Sequence, residues 1–480
     1  MTKHILSTMI TLVGVLFSLA FGQGHEITVK VKGFEGDTMY LANHYGKTQY
    51  MADTVQVTNG VAVFKGEEPR KGGIYLVVLP PDNNYFEIVL ADDQEFTIET
   101  SKDDLVGKVK VTGSKENEVF YKNIQFLGVK GKEMTELQEK LKGIDKEANA
   151  DEHQKVTEKL QALNQEINDS RLKLAADHPE LFYSKVINAM RDPEIPEDIK
   201  NDREASFRYY RNHYFDNIDF GDGRLLRTPI LHNKMMYFIE KLSYQEPDSL
   251  IDAVELIVSK ALKGGDEEVI QYVTVTLLNK YAGSKIMGHD AIYVHIVDMV
   301  YAPGLATWSD AEQVDKIVER ANSLRPTLLG NLAPQMVMLD TAGNTRNMHR
   351  EKADYTILYF WDYDCGHCKK VTPALGKLYP KYADKNVKIW SVSINGDEDK
   401  WREKVKEYGL DQNGIINVSD HRRRTGFDHF YDINSTPRIF LLDKNKIIRA
   451  KQISVEQLDE ILTRFMEKEL EEAEKEIQGK

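Results

Sequence analysis

Two cysteines occur in the 480 residues, and both lie in one segment, Trp361-Asp362-Tyr363-Asp364-Cys365-Gly366-His367-Cys368. Two residues apart, they cannot staple distant parts of a fold, so their chemistry is local: thiol-disulfide exchange or metal ligation. A structural zinc site takes four ligands; with no second cysteine pair it would need Cys365, Cys368, His367 and a distant fourth group. Covalent haem attachment needs a histidine directly after the second cysteine, where Lys369 stands. Nothing matches the Thr-x-x-Cys arrangement that holds peroxide. The expectation is redox exchange with no metal and no cofactor.

The elements around the pair favour that chemistry. Thr356 to Trp361 is a largely apolar run bounded by charges, suited to a central strand buried on both faces, and the residues from Cys365 onward favour helix. The cysteines then fall at a strand-to-helix junction, with both sulfurs in the first helical turn. There Cys365 faces unpaired backbone N–H groups and the positive end of the helix dipole, which favour thiolate. Cys365 is the predicted nucleophile, and Cys368 the resolving thiol that attacks the mixed disulfide. His367, Lys369 and Lys370 add positive field, while Asp364 opposes them.

The rest of the chain predicts a multidomain protein. Its length exceeds what one core supports, and a net charge of −13 argues against nucleic-acid partners. Residues 1–22 read as a signal peptide: Lys3 and His4 precede an apolar run, and Ala20-Phe21-Gly22 offers small residues for cleavage before Gln23. No cysteine follows to carry a lipid, and Ser7, Thr8, Thr11, Gly14 and Ser18 interrupt the run, which argues against a membrane anchor. Secretion across the inner membrane, into the periplasm or cell envelope, is the expectation.

Residues 24–115 alternate with period two and predict a small antiparallel β domain. Its strands include Ile27 to Val31, Ile74 to Leu79, Tyr85 to Leu90, Glu95 to Glu99 and Lys108 to Val111, with a hairpin turn at Asn59-Gly60. Residues 116–329 show helical spacing: a hairpin through Met134 to Ile144 and Val156 to Ile167, then helices over 249–262, 267–281, 292–301 and 311–322. Met287-Gly288-His289-Asp290 could suggest ligands, but adjacent side chains diverge, so the segment is read as a turn. Residues 330–466 return to alternating strands and helices, and 467–480 read as a charged helical tail.

Over 330–466 the chain resembles the thioredoxin superfamily, and within it the TlpA and ResA-like envelope branch. Gly330-Asn331-Leu332-Ala333-Pro334 with Leu339-Asp340-Thr341-Ala342-Gly343 resembles that branch's leading strands, Phe360-Trp361 runs into the cysteine pair, and Pro373 matches the proline in the active-site helix. Ser435-Thr436-Pro437-Arg438-Ile439-Phe440 resembles the family's cis-proline loop. A hairpin through Asp443-Lys444-Asn445 and a helix capped by Ser454 with Gln457 complete the pattern.

The resemblance implies a C-terminal α/β thioredoxin-like domain acting as a disulfide oxidoreductase on protein substrates and recharged by a membrane-bound electron donor. It implies a catalytic set of Cys365, Cys368, His367 and Pro437, with Thr436 and Trp361 meeting substrate. Two departures bear on mechanism: Tyr359 stands where a buried acid is usual, and Val371 where ResA-like proteins carry Glu. Solvent, His367 or Asp364 then handles the proton of Cys368, or the domain is tuned away from fast reduction. Net reduction is the first expectation; a disulfide oxidase or isomerase, and a docking protein without turnover, are the alternatives. The regions ahead resemble poorly characterised β and helical domains of envelope proteins, which implies no activity for them.

Overall fold

The computed structural model describes residues 24–420 and 425–478, so the segment read as a signal peptide lies outside the described residues. The chain divides into two compact units, Met1–Met236 and Tyr237–Lys480. The helical stretch therefore contributes to both. No helix among the described residues is long and apolar enough to cross a membrane.

In the first unit β1 (His25–Lys32), β2 (Thr38–Tyr45), β3 (Thr48–Gln56), β4 (Val61–Gly66), β5 (Gly73–Leu79), β6 (Asn84–Leu90), β7 (Glu95–Ser101) and β8 (Lys110–Thr112) form two sheets, ordered β4-β1-β7-β8 and β3-β2-β5-β6. Alternation governs β1: Ile27, Val29 and Val31 are buried, while Glu26, Lys30 and Lys32 are exposed. Asn59 and Gly60 take positive φ (52° and 74°) and Thr58 bridges Val61, as the predicted turn requires. The strands it joins enter different sheets, since β4 pairs with β1 and β3 with β2. A second difference is that β1 and β7 run parallel, with Val29 opposite Ile98.

The helical hairpin is α1 (Lys115–Lys142) and α2 (Ala150–Asp177), followed by α3 (Phe182–Met190), α4 (Arg203–His213) and α5 (Ile230–Lys241), where the division between units falls. Asn117 ties α1 to the sheet: its buried amide accepts from the N–H of Val89 at 2.8 Å and donates to the carbonyl of Val89 at 2.7 Å. Those two bonds replace what a neighbouring strand would supply to β6. Glu116 accepts the N–H groups of Phe182 (3.1 Å) and Tyr183 (2.6 Å), capping α3 from a distance in sequence.

In the second unit the end of α5 is followed by α6 (Pro247–Gly264), α7 (Glu267–Ala282), α8 (His289–Ile296) and α9 (Ala311–Leu324). Gly288 caps α8 at φ +89°, and a Cβ there would lie 2.6 Å from Pro247 Cγ. His289 Nδ1 meets Ser284 Oγ at 2.8 Å while the Asp290 carboxylate pairs with Lys451, so the two side chains diverge, as the turn reading expects.

A seven-stranded sheet follows, of β9 (Val337–Asp340), β10 (Thr345–Asn347), β11 (Tyr355–Trp361), β12 (Val387–Ser393), β13 (Ile415–Ser419), β14 (Arg438–Asp443) and β15 (Ile448–Lys451), in the order β10-β9-β13-β12-β11-β14-β15. Between and after these strands lie α10 (Cys368–Leu378), α11 (Glu398–Glu407), α12 (Phe427–Phe430) and α13 (Val455–Gln478). Every residue of β11 is buried, as its largely apolar run predicts. Ile357, Tyr359 and Trp361 enter a core shared with Cys368, Leu375, Trp401 and Leu458; Leu358 and Phe360 enter the opposite core with Trp390 and Phe440. Such aromatic side chains each contribute about 1.5–3 kcal/mol by burial. The capping box at Ser454 forms in both directions, Gln457 N–H to Ser454 Oγ at 3.2 Å and Ser454 N–H to Gln457 Oε1 at 2.9 Å. α13 then runs unbroken from there to Gln478, so the charged tail continues that helix.

Candidate active site

The turn between β11 and α10 carries Cys365. α10 itself starts at Cys368, a turn later than expected, but the carbonyl of Cys365 already accepts the N–H of Lys369 at 3.2 Å. His367 is the N-cap, and Cys365, just ahead of it, faces the free N–H groups of His367 and Cys368. The backbone N–H of Cys368, with the Thr436 side chain and the N–H of His367, holds the Cys365 thiol below its ordinary value against the opposing effect of burial. Cys368 is fully buried, and burial pushes its thiol up to about 11, although the N–H of Asp362 donates to its sulfur at 3.4 Å. The pair is thus a half-exposed thiol whose ionisation is favoured beside a buried thiol whose ionisation is disfavoured. Alkylation of the reduced chain by iodoacetamide should therefore modify Cys365 alone near neutrality, with a rate that climbs as pH rises to a midpoint below the ordinary thiol range. Cys368 should react only near pH 11. Equal labelling of both cysteines at pH 7 would contradict the asymmetry.

The Thr436-Pro437 peptide is cis, and the Thr436 carbonyl lies 3.4 Å from Cys365 Sγ, where the thiol donates to it. The structure thus brings Cys365, Cys368, Thr436 and Pro437 together. His367 is different: its ring is exposed, and it reaches Cys365 through its backbone N–H. Trp361 requires a correction. It is fully buried, its Nε1–H donates to Ser391 Oγ at 2.9 Å, and it packs beside Tyr363 and Tyr408, so it supports the site from within and does not meet substrate. As the last residue of a strand buried on both faces, it points into the same core as Tyr359.

Other residues in the turn were not anticipated. Asp362 Oδ1 accepts from the N–H of Asp364 (2.6 Å) and from Asn395 Nδ2 (2.9 Å), while Asn395 Oδ1 accepts the N–H of Tyr363 (3.2 Å). Asn395 follows β12 at the carboxyl end of a parallel strand, the end where α/β sheets place functional loops, and that position was the available signal. Asp364, expected to oppose the thiolate, instead pairs with Lys400 at 2.7 Å, and that ammonium lies 4.7 Å from the Tyr363 ring centroid. Its negative charge is compensated in place.

Tyr359 occupies the position of the usual buried acid. Its hydroxyl shares a 2.7 Å hydrogen bond with Thr372 Oγ1, and burial drives the phenol far above its ordinary range, so it is neutral. Val371 packs against the core that holds Cys368, and Pro373 lies inside α10. A neutral phenol and hydroxyl thus stand where a carboxylate is usual.

A family model described as thioredoxin-like matches residues 353–448. Two further models, each described as a domain of unknown function (DUF4369 and DUF5106), match residues 25–120 and 144–323. A thiol-disulfide oxidoreductase ResA of Bacillus cereus is 30% identical over 140 residues, which is 29% of this chain and 78% of the relative. The ResA of Bacillus subtilis is 26% identical over 122 residues, 25% of this chain and 65% of the relative. Among solved structures, a domain of a possible thiol-disulfide isomerase from Cytophaga hutchinsonii is 39% identical and covers 30% of this chain and 97% of that one, with a TM-score of 0.28. With a cysteine pair at the start of a helix, a cis proline beside it and 30% identity to the Bacillus cereus protein over 78% of its length, the chain belongs, through its C-terminal domain, to the thioredoxin-like thiol-disulfide oxidoreductases of the ResA family.

Proposed function

We propose that the protein reduces disulfides in secreted proteins through the Cys365-Gly366-His367-Cys368 segment. The observation that carries the exchange is the asymmetry of the pair, a favoured Cys365 thiolate beside a buried Cys368 thiol, and net reduction is the direction that the resemblance to the ResA-like branch implies. The Cys365 thiolate attacks one sulfur of the substrate disulfide; a Cys365–substrate bond forms, and the other substrate sulfur leaves as thiolate. Cys368 then loses its proton and attacks Cys365 Sγ, releasing the second substrate sulfur. Two electrons pass to the substrate, and the Cys365–Cys368 disulfide remains for a membrane-bound donor to reduce.

Burial comes first in raising the Cys368 thiol, but its hydrogen bond to Cys365 and the charge there add to it. In the mixed disulfide that charge is gone, so Cys368 ionises more readily when it must attack. Tyr359 and Thr372, joined by their hydroxyls, form the polar contact beneath the pair, and the departing substrate thiolate can take the proton. Residues 1–22 direct the chain to the periplasm in this reading.

A stabilised Cys365 thiolate also favours the reduced protein, which makes the pair more oxidising and supports the alternative of an oxidase or isomerase. Equilibration with glutathione buffers separates the two. A reductase should show a midpoint toward thioredoxin's about −270 mV, whereas a value near about −180 mV, that of a disulfide isomerase, would sink net reduction.

A further inference from the structure

Helix α9 packs against α12, which precedes the cis-proline loop. From α9, Arg320 Nη1 donates to Oδ1 of Asp432. Asp432 is 7% exposed and sits at φ +52°, in the left-handed region where a residue with a Cβ is uncommon. The same Oδ1 accepts from Asn434 Nδ2 at 2.6 Å, and the Asp432 carbonyl accepts the N–H of Asn434 at 3.0 Å. Just before it, the N–H of Tyr431 donates to the Phe427 carbonyl at 2.9 Å, and the Tyr431 hydroxyl donates to the Pro334 carbonyl.

The chain leading to Thr436 is therefore organised around one carboxylate. Among the described residues, the cation bonded to that carboxylate is Arg320, from the helical segment ahead of the sheet. Without it, a buried carboxylate would lose its hydrogen-bonded counter-charge, with Lys451 the more distant cation left near it, and turn toward water. Asn434 and the backbone of residues 433–435 would follow, and the Thr436 groups that touch Cys365 would shift with them.

We propose that Arg320 is a positioning residue for disulfide exchange, holding the Asp432 to Thr436 segment so that Thr436 meets Cys365. The inference rests on the exchange reading above and gives the helical segment a share in the site. It acts through the loop and touches no reacting atom.

The test uses the full chain, as wild type, Arg320→Ala, Arg320→Lys and the double variant Arg320→Ala/Asp432→Asn, which avoids an unpaired buried charge if the single variant folds poorly. Kinetics with a cyclic disulfide-bonded peptide, recharged by dithiothreitol, give KM and kcat; iodoacetamide labelling against pH gives the Cys365 midpoint. Arg320→Ala and the double variant should raise KM about tenfold, as misplacement of a positioning contact does. Both should also move the Cys365 midpoint upward, because the Thr436 side chain that lowers it is displaced. Arg320→Lys, which keeps the charge, should return both toward wild type. A fall in melting temperature with wild-type KM and an unchanged labelling midpoint in the double variant would overturn the proposal and leave Arg320 a packing contact. If the wild type fails to reduce the peptide, the exchange reading falls, while the labelling midpoint still decides whether Arg320 shapes the site.

Discussion

Cys368→Ser should turn the protein into a trap that accumulates mixed disulfides with its substrates, whereas Cys365→Ser should form none. The first step needs only the Cys365 thiolate, which the N–H groups of residues 368 and 367 hold whether the second cysteine is present or replaced. Serine at 368 leaves those backbone donors in place, and the N–H of Asp362 that now meets the sulfur can meet a hydroxyl instead. What is lost is the attack that releases substrate, so the intermediate persists. With Cys365→Ser the nucleophile itself is gone, and turnover should fall by roughly a thousandfold or more, to the level of the reductant alone. Non-reducing electrophoresis of protein recovered from cells, followed by mass spectrometry of the trapped partners, reads both outcomes. A Cys365→Ser protein that still supports the wild-type phenotype and loses no adducts would favour a docking protein in which exchange is incidental.

The parts of this site that were legible in the sequence are those set by local patterns. The largely apolar run of β11, the spacing of Cys365 and Cys368, the helix read over 311–322 and the capping box at Ser454 each depend on residues within a few positions of one another. Where a distant partner decides the outcome, the pattern was silent. Asn59-Gly60 made its turn, but period two cannot say that β4 would leave β3 for β1, or that β7 would join β1 in parallel. Asp364 read as a charge opposing the thiolate because Lys400, 36 positions away, could not be paired with it beforehand. The resemblance gave Trp361 a substrate contact, although its place at odd register in β11 put it in the core with Ile357 and Tyr359. Arg320 and Asp432, 112 positions apart, are an ordinary helix cation and loop acid until the fold joins them.

Asp290→Ala should destabilise the second unit by about 3–5 kcal/mol, because it strands a buried cation. Lys451, the last residue of β15, has a side chain 3% exposed, paired with Asp290 at 16%, and its ammonium donates to the carbonyl of Thr327 at 2.8 Å. Burial pulls the Lys451 ammonium below its ordinary range, and Asp290 is the charge that first opposes this. Removing Asp290 takes away the hydrogen-bonded charge that opposes desolvation and leaves only the weaker pull of Asp432 against it. The lysine must then lose its proton or break out of its site, and either route disturbs the packing of α8 and of Thr327 against β15. Lys451→Met added to Asp290→Ala removes the charge while filling the space of the stem, so the double variant should recover most of the loss. Urea unfolding of wild type, the single variant and the double variant tests the coupling. A single variant as stable as wild type, or a double variant as unstable as the single one, would show that the pair contributes nothing specific. The turn at Gly288 would then merely start a helix, and its Asp290 would have no part in joining the helices to the redox sheet.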